Sequence, residues 1–193
     1  MASKKGKTVD KWKKKQWYEI LAPTEFKRIS LGDTVATKPE QVKGRTIKAS
    51  LRKITNQIKR QFVEVLFRIT EVKGNNAYTE SAGHEIPESF LKKFIRRRSS
   101  KIQLVQDCST KDKAKIRVKT MVLTARKATA NQRTAIRAII KEEVKSFCAK
   151  TNKETIISEF LLSDFTNKLH EKCKKIMPVK RVEVTKTRIY QEK

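Results

Sequence analysis

The sequence is poor in the residues that build most active sites. It has two histidines, three cysteines and five glycines. The glycines, at 6, 32, 44, 74 and 83, are scattered, so no Gly-rich phosphate loop exists. There is no His-Glu-x-x-His and no Cys-x-x-Cys. His170-x-x-Cys173 offers two ligands on one helix face, but structural zinc normally takes four. Cys173 therefore reads as an ordinary core residue, and His84 as a turn or packing residue. A nucleophilic triad needs Ser or Cys with His and a carboxylate in a local signature, and none is found. Glu142 and Glu143, adjacent in sequence, read as ion-pair partners for helix lysines rather than a catalytic pair. No enzyme chemistry, cofactor, metal or small-molecule substrate is expected.

Other absences bound the class. No run approaches 18 apolar residues, so no membrane-spanning helix is expected. The first residues are basic but carry no apolar stretch of signal-peptide type. Cys108, Cys148 and Cys173 are odd in number and far apart, which argues against a disulfide framework and suits a reducing cytoplasm. Aromatics make up 7% and apolar residues 37%, enough for one core. Acids are scarce.

What the chain has is positive charge. Its 193 residues hold 47 Lys and Arg against 20 Asp and Glu, a net charge of +27. Such a surface repels itself unless a polyanion is present, which makes nucleic acid the leading partner. An acidic membrane surface ranks second, and it fades because the helices look core-facing. Residues 1–16 carry seven Lys and a single acid, and read as a basic flexible tail. Residues 17–193 read as a single domain with no internal repeat or Pro/Ser-rich linker. Trp12 and Trp17 bracket Lys13, Lys14 and Lys15. Trp17 is expected as a core anchor at the domain start; the alternative makes Trp12 a stacking ring beside phosphates.

Strand signals dominate to about residue 85. Val63, Val65, Phe67 and Ile69 alternate with Glu64, Arg68 and Thr70, and Gly74-Asn75-Asn76 then turns the chain into Ala77-Tyr78-Thr79. Further strands are expected at 33–37 and 45–50. A second hairpin joins Lys101–Ser109 to Ala114–Thr124 through Thr110-Lys111-Asp112-Lys113. Pro87 opens a helix with Phe90, Leu91, Phe94 and Ile95 on one stripe, and Arg96-Arg97-Arg98 is expected at its C-terminus. Thr129-x-x-Gln132 is a capping box opening a helix to about 149. Thr151-x-x-Glu154 looks like a second one, before Ile156, Ile157, Phe160 and Leu161. A helix from Asp164 ends at Pro178, and Val182 and Val184 suggest a last strand. The fold class expected is α+β. A strand-rich N-terminal part forms a β-barrel-like or sandwich core, flanked by helices from the C-terminal part.

The charge is spread over several of these elements. Residues 41–63 carry seven Lys or Arg, 91–101 six and 126–141 five, all without an acid. A groove-reading DNA protein concentrates its contacts on one element, whereas a folded RNA is met by backbone and shape contacts over many. The candidate RNA-binding residues are Lys13, Lys14, Lys15, Lys43, Arg45, Arg96, Arg97, Arg98, Lys115, Arg117, Arg126, Lys127, Arg133 and Arg137. Arg96–Arg98 has a blander reading as a dipole-complementing helix end, and Lys115, Arg117 and Lys119 as a solvated strand face. The cluster Arg126, Lys127, Arg133 and Arg137 stands out, because free N–H groups near Ala130 and Asn131 also face an anion there. Rival functions are a free nucleic-acid chaperone or chromatin-type binder, and an RNA-processing enzyme.

An ordered set of short motifs carries a resemblance. It includes Trp17-Tyr18-Glu19-Ile20-Leu21-Ala22-Pro23, Lys43-Gly44-Arg45, Ala49-Ser50-Leu51, Val72-Lys73-Gly74-Asn75 and Gly83-His84-Glu85. It continues through Arg96-Arg97-Arg98-Ser99-Ser100-Lys101-Ile102, Gln132-Arg133-Thr134-Ala135-Ile136-Arg137 and Pro178-Val179-Lys180-Arg181-Val182-Glu183. In order and spacing it resembles the small-subunit ribosomal protein family shared by archaea and eukaryotes, called S-one-e or S-three-a-e. The likeness covers about residues 10–185 and is closer to archaeal members. It departs at Lys111-Asp112-Lys113-Ala114, where Asp-Gly is the family expectation at the turn, so that Lys113 must take the positive φ or the turn is of another type; residues 51–62 also look shorter or altered against the family, which leaves their strand assignment open. The resemblance implies a structural, non-catalytic place on the platform of the small subunit, near the mRNA exit. It implies small-subunit rRNA and neighbouring ribosomal proteins as partners, with mRNA at the exit channel a candidate third. Location in cytoplasmic ribosomes follows.

Overall fold

The computed structural model describes residues 11–56, 61–162 and 164–190. The strands are β1 (Gln16–Leu21), β2 (Ser30–Ala36), β3 (Thr46–Ser50), β4 (Glu64–Lys73), β5 (Asn76–Glu85), β6 (Lys101–Ser109), β7 (Lys115–Thr124) and β8 (Val179–Ile189). The helices are α1 (Leu51–Thr55), α2 (Glu88–Lys92), α3 (Ala130–Lys150), α4 (Ile156–Leu162) and α5 (Phe165–Lys174). Among the described residues the strands join one mixed sheet, β2-β1-β5-β8-β7-β6, with β4 and then β3 added from β5. The sheet stays open, so the α+β class stands with a sandwich-like core and the closed-barrel alternative does not.

Strand β5 is the branch point. One edge pairs with β4 along its length, from Glu64↔Glu85 to Lys73↔Asn76. The other edge is shared. Its start takes β1 in parallel, at Glu19↔Asn76 to Leu21↔Tyr78. Its end takes β8 antiparallel, at Gly83↔Arg188 to Glu85↔Lys186. Gly83 sits at this junction because nothing larger fits there: a Cβ would lie 2.2 Å from the Thr187 carbonyl oxygen.

Both expected hairpins form. Gly74 turns β4 into β5 at φ +61°. In the β6–β7 turn Lys113 takes φ +60°, which supplies the positive φ that its sequence lacks a glycine for. The Thr110 hydroxyl supports it, accepting from the Ala114 N–H at 3.1 Å. Alternation then buries Ile116, Val118, Thr120 and Val122 of β7 on the side facing α3. Ile136, Ile140, Val144 and Cys148 of α3 return to one side at helical spacing and pack there. Phe147, Phe160 and Phe165 knit α3, α4 and α5 together at centroid distances of 4.9 and 4.3 Å from Phe147. A smaller cluster lies on the opposite face, where Ile86 and Leu91 cover Met121 and Leu123.

Several expectations need correction. Trp17 is not a core anchor; it is 64% exposed. The alternation of β1 buries Tyr18 and Ile20 and so turns Trp17 outward. The second capping box does not form. Thr151 ends α3 instead, its hydroxyl bonded to the Phe147 carbonyl at 3.0 Å and near the Glu159 carboxylate. Residues 51–55 are helical. Helix α2 stops at Lys92, with Pro87 as its cap and Ile95 exposed. Glu143 pairs with Lys172 of α5 rather than with a lysine of its own helix. Of the expected tail, residues 1–10 lie outside the described residues; Lys11–Lys14 make one 3-10 turn and Gln16 already belongs to β1.

Candidate nucleic-acid interface

Two basic segments far apart in sequence are fastened together at one end of β6 and β7. The pivot is Ser100 with Thr124. The Ser100 N–H donates to Thr124 Oγ1 at 2.9 Å, and the Thr124 N–H donates to the Ser100 carbonyl at 3.0 Å. The Ala128 N–H donates to Ser100 Oγ at 3.0 Å, and the fully buried Thr124 hydroxyl reaches the Arg126 carbonyl at 2.6 Å. The turn carrying Arg96, Arg97 and Arg98 is thereby set beside the bend carrying Arg126 and Lys127. These polar bonds are partly shielded from water and share two side chains, which makes the arrangement stiff.

Helix α3 leaves directly from that bend. Its capping box is complete: Thr129 Oγ1 accepts from the Gln132 N–H at 3.4 Å, and Gln132 Oε1 from the Thr129 N–H at 3.1 Å. The N–H groups of Ala130 and Asn131 stay without a partner among the described residues. Arg133 and Arg137 follow on one exposed row, one turn apart, with Lys141 next on it. The start of β8 closes the group, since the Ala125 N–H donates to the Pro178 carbonyl at 2.9 Å and Lys180 is exposed two residues on.

Among the described residues no carboxylate pairs with Arg96, Arg97, Arg98, Arg126, Lys127, Arg133, Arg137 or Lys180. All eight side chains are exposed. The Arg triplet is no helix end, because α2 finishes at Lys92 and Arg98 turns the chain at φ +63°. Its charges therefore do not serve a helix dipole. Arg181, next to Lys180, differs: it lies 4.2 Å over the Phe94 ring and pairs with Glu183 at 2.8 Å.

The remaining candidates lie elsewhere. Lys13, Lys14 and Lys15 sit before β1, with Lys15 Nζ 3.9 Å from the centre of the Trp12 ring. Lys43 is exposed before β3. Arg45 ties that segment down, donating to Thr34 Oγ1 at 2.7 Å and to the Val35 carbonyl at 3.0 Å. Lys115 and Arg117 stand at the far end of β7. Arg117 grips Asp107 through two bonds of 2.7 and 2.9 Å, and this holds the Asp107 carboxyl below its usual range. The register adds cations that sequence reading missed: Arg188 lies opposite Arg117, and Lys186 opposite Lys119. The only signal for them was the length of β8, which alternation shows only as far as Val184.

Comparison with known proteins fits this picture. The model of the ribosomal S3Ae family matches residues 3–193. The chain belongs to the ribosomal S3Ae family. This is a family of ribosomal proteins, not of enzymes. Curated S3Ae-like relatives named small ribosomal subunit protein eS1 come from archaea. The one from Desulfurococcus amylolyticus is 38% identical over 98% of this chain and 89% of its own length. That from Saccharolobus islandicus is 36% identical over 98% and 91%. That from Methanospirillum hungatei is 36% identical over 98% and 96%. Among the described residues no group of three or more His, Cys, Asp or Glu side chains converges as a metal site, and no helix is long and apolar enough to cross a membrane.

Proposed function

We propose that the chain is a structural component of the small ribosomal subunit, fastened to its rRNA by Arg96–Arg98, Arg126, Lys127, Arg133, Arg137 and Lys180. The observation that carries this is the Ser100–Thr124 lock, which fixes two unpaired basic segments side by side with no carboxylate on either. A fixed backbone suits a folded RNA, since only the side chains of these cations remain to be ordered when phosphates arrive. Family membership and the names of the archaeal relatives support the same reading. Lys13–Lys15, Lys43 and Lys115 supply further phosphate contacts, and the basic 1–16 segment adds to them. Arg45 and Arg117 contribute through the donors that their internal bonds leave over. The finer placement, on the platform near the mRNA exit in cytoplasmic ribosomes, with neighbouring proteins and mRNA within reach, is part of the proposal.

A sucrose gradient of cell lysate, probed for this protein with and without ribonuclease, tests it. Stoichiometric co-migration with small subunits that collapses on ribonuclease treatment is the expected result. A protein that stays at the top of the gradient at low salt overturns it in favour of a free nucleic-acid chaperone.

A further inference from the structure

Three phenylalanines from two segments stand in a row. Phe62, just before β4, stacks on Phe90 of α2 with ring centres 4.1 Å apart and planes 18° apart. Phe94 meets Phe90 edge-on at 5.0 Å. The Arg181 guanidinium of β8 lies 4.2 Å over Phe94 and 5.8 Å over Phe90. The row is open at its Phe62 end: that ring has one face on Phe90 and is still 43% exposed. A stacked ring with an outer face in water is a platform for a further planar group.

A cavity of about 240 Å³ lies along Phe62 and Phe90 and reaches Thr166 and Asn167 of α5. The charges on its lining cancel. Arg181 donates to Glu183 at 2.8 Å, and both ring nitrogens of His84 are engaged, by Thr187 and by the Val184 carbonyl. The interior therefore favours neither a cation nor an anion. Outside it the balance changes. Between Pro87 and Ser99, Lys92, Lys93, Arg96, Arg97 and Arg98 stand against one acid, Glu88. All five cations are exposed, and among the described residues no carboxylate pairs with them.

An uncharged recess walled by aromatic rings, next to a cationic rim, matches a neutral planar ring carried on an anionic strand. An apolar side chain of a partner protein would suit the recess but gain nothing from the rim. A duplex keeps its bases stacked and out of reach. We propose that this recess receives one unstacked nucleobase of a single-stranded RNA segment, its ring laid on Phe62 and its edge toward Asn167, while the flanking phosphates meet Arg96–Arg98. Base contact is thereby added to a surface otherwise built for phosphates. The inference rests on the ribosomal reading for the source of the RNA. Its test uses no ribosome, so the two fail separately.

The full-length chain is titrated calorimetrically at low salt with two synthetic strands of roughly six ribose phosphates. One is abasic throughout, and the other carries a single central adenine. The adenine strand is expected to bind about tenfold more tightly. Phe62→Leu keeps an apolar side chain against Phe90. It is expected to abolish that difference while leaving the affinity for the abasic strand unchanged, and Phe62→Trp to preserve the difference. Equal binding of the two strands by wild type overturns the proposal and leaves phosphate contact standing, and this comparison needs no variant to fold. An adenine preference that survives Phe62→Leu overturns it by placing the base on another exposed ring, such as Trp12, Trp17 or Tyr190. A variant that weakens both strands alike overturns it by marking a structural role for Phe62. Binding of neither strand overturns it as well, while the sucrose gradient decides the ribosomal reading by itself.

Discussion

Gly83 and Thr187 meet where the central strand receives the last strand, so closely that a methyl group at Gly83 would lie 2.2 Å from the Thr187 carbonyl oxygen. The oxygen belongs to backbone inside a paired strand and cannot step aside alone. Gly83→Ala is therefore expected to destabilise the protein by about 3 kcal/mol, at the upper end for overpacking. Urea denaturation measures it, and a loss below about 0.5 kcal/mol, ordinary for a harmless surface change, contradicts the fit described.

The neighbouring His84 predicts a pH dependence. Its ring is buried between Thr187, whose hydroxyl lies 2.8 Å from Nδ1, and the Val184 carbonyl, 2.9 Å from Nε2. That geometry suits a neutral ring that donates from Nε2 and accepts at Nδ1. Burial lowers its pKa from 6.5 to about 4, outweighing the Val184 bond and Glu85, which act the other way. The unfolded chain thus takes up this proton first as the pH falls. The contribution to stability is whole above about pH 6.5, declines toward pH 4, and totals about 3 kcal/mol. Glu85, held below its usual range first by its bond from Lys186, also loses stability in acid. Comparing wild type with His84→Gln from pH 7 to 4 isolates the histidine. Parallel acid sensitivity in the two proteins contradicts the assignment.

Removing four exposed cations should separate binding from folding. Arg126→Ala, Lys127→Ala, Arg133→Ala and Arg137→Ala together are expected to leave the melting temperature nearly unchanged, since none has a carboxylate partner among the described residues. The slope of log affinity for rRNA against log salt should fall by about three, and incorporation into subunits should weaken. A folded quadruple variant that incorporates normally assigns the contact surface elsewhere.

The capping box of α3 has its own signature. Thr129→Ala removes the acceptor for the Gln132 N–H and is expected to cost about 1 kcal/mol. Hydrogen exchange should quicken in the first turn of α3 but not near Cys148. Uniform protection loss along the helix would mean that the cap also governs its packing.

The sequence made the hairpins and α3 legible because each is local. Alternation around Phe67 and Ile116, the turn at Gly74 and the Thr129–Gln132 box all act within a few residues. The positive φ at Lys113 was one of two readings left open where the family resemblance puts Asp-Gly, and the structure takes it. What failed was non-local. Trp17 is a large aromatic at the domain start, yet the face it occupies depends on which side of β1 is turned to the core. Thr151 matched the capping pattern, but its hydroxyl was taken by the helix already ending there. At the candidate interface the residue types were readable and their convergence was not. Nothing within 96–98 or 126–127 announces that Ser100 and Thr124 will pair.

The shared edge of β5 bears on how the protein is made. Its first half can be covered by β1 as soon as the β4–β5 hairpin forms. Its second half must wait for β8, since His84 and Thr187 are 103 residues apart. During synthesis Gly83–Glu85 is an open strand edge until nearly the whole chain has left the exit tunnel. So long a separation makes closure of this seam the slow, late step of folding, and the step most open to mispairing between nascent chains. A chain so dense in positive charge has a built-in safeguard in that interval, because its copies repel one another until RNA arrives to neutralise them.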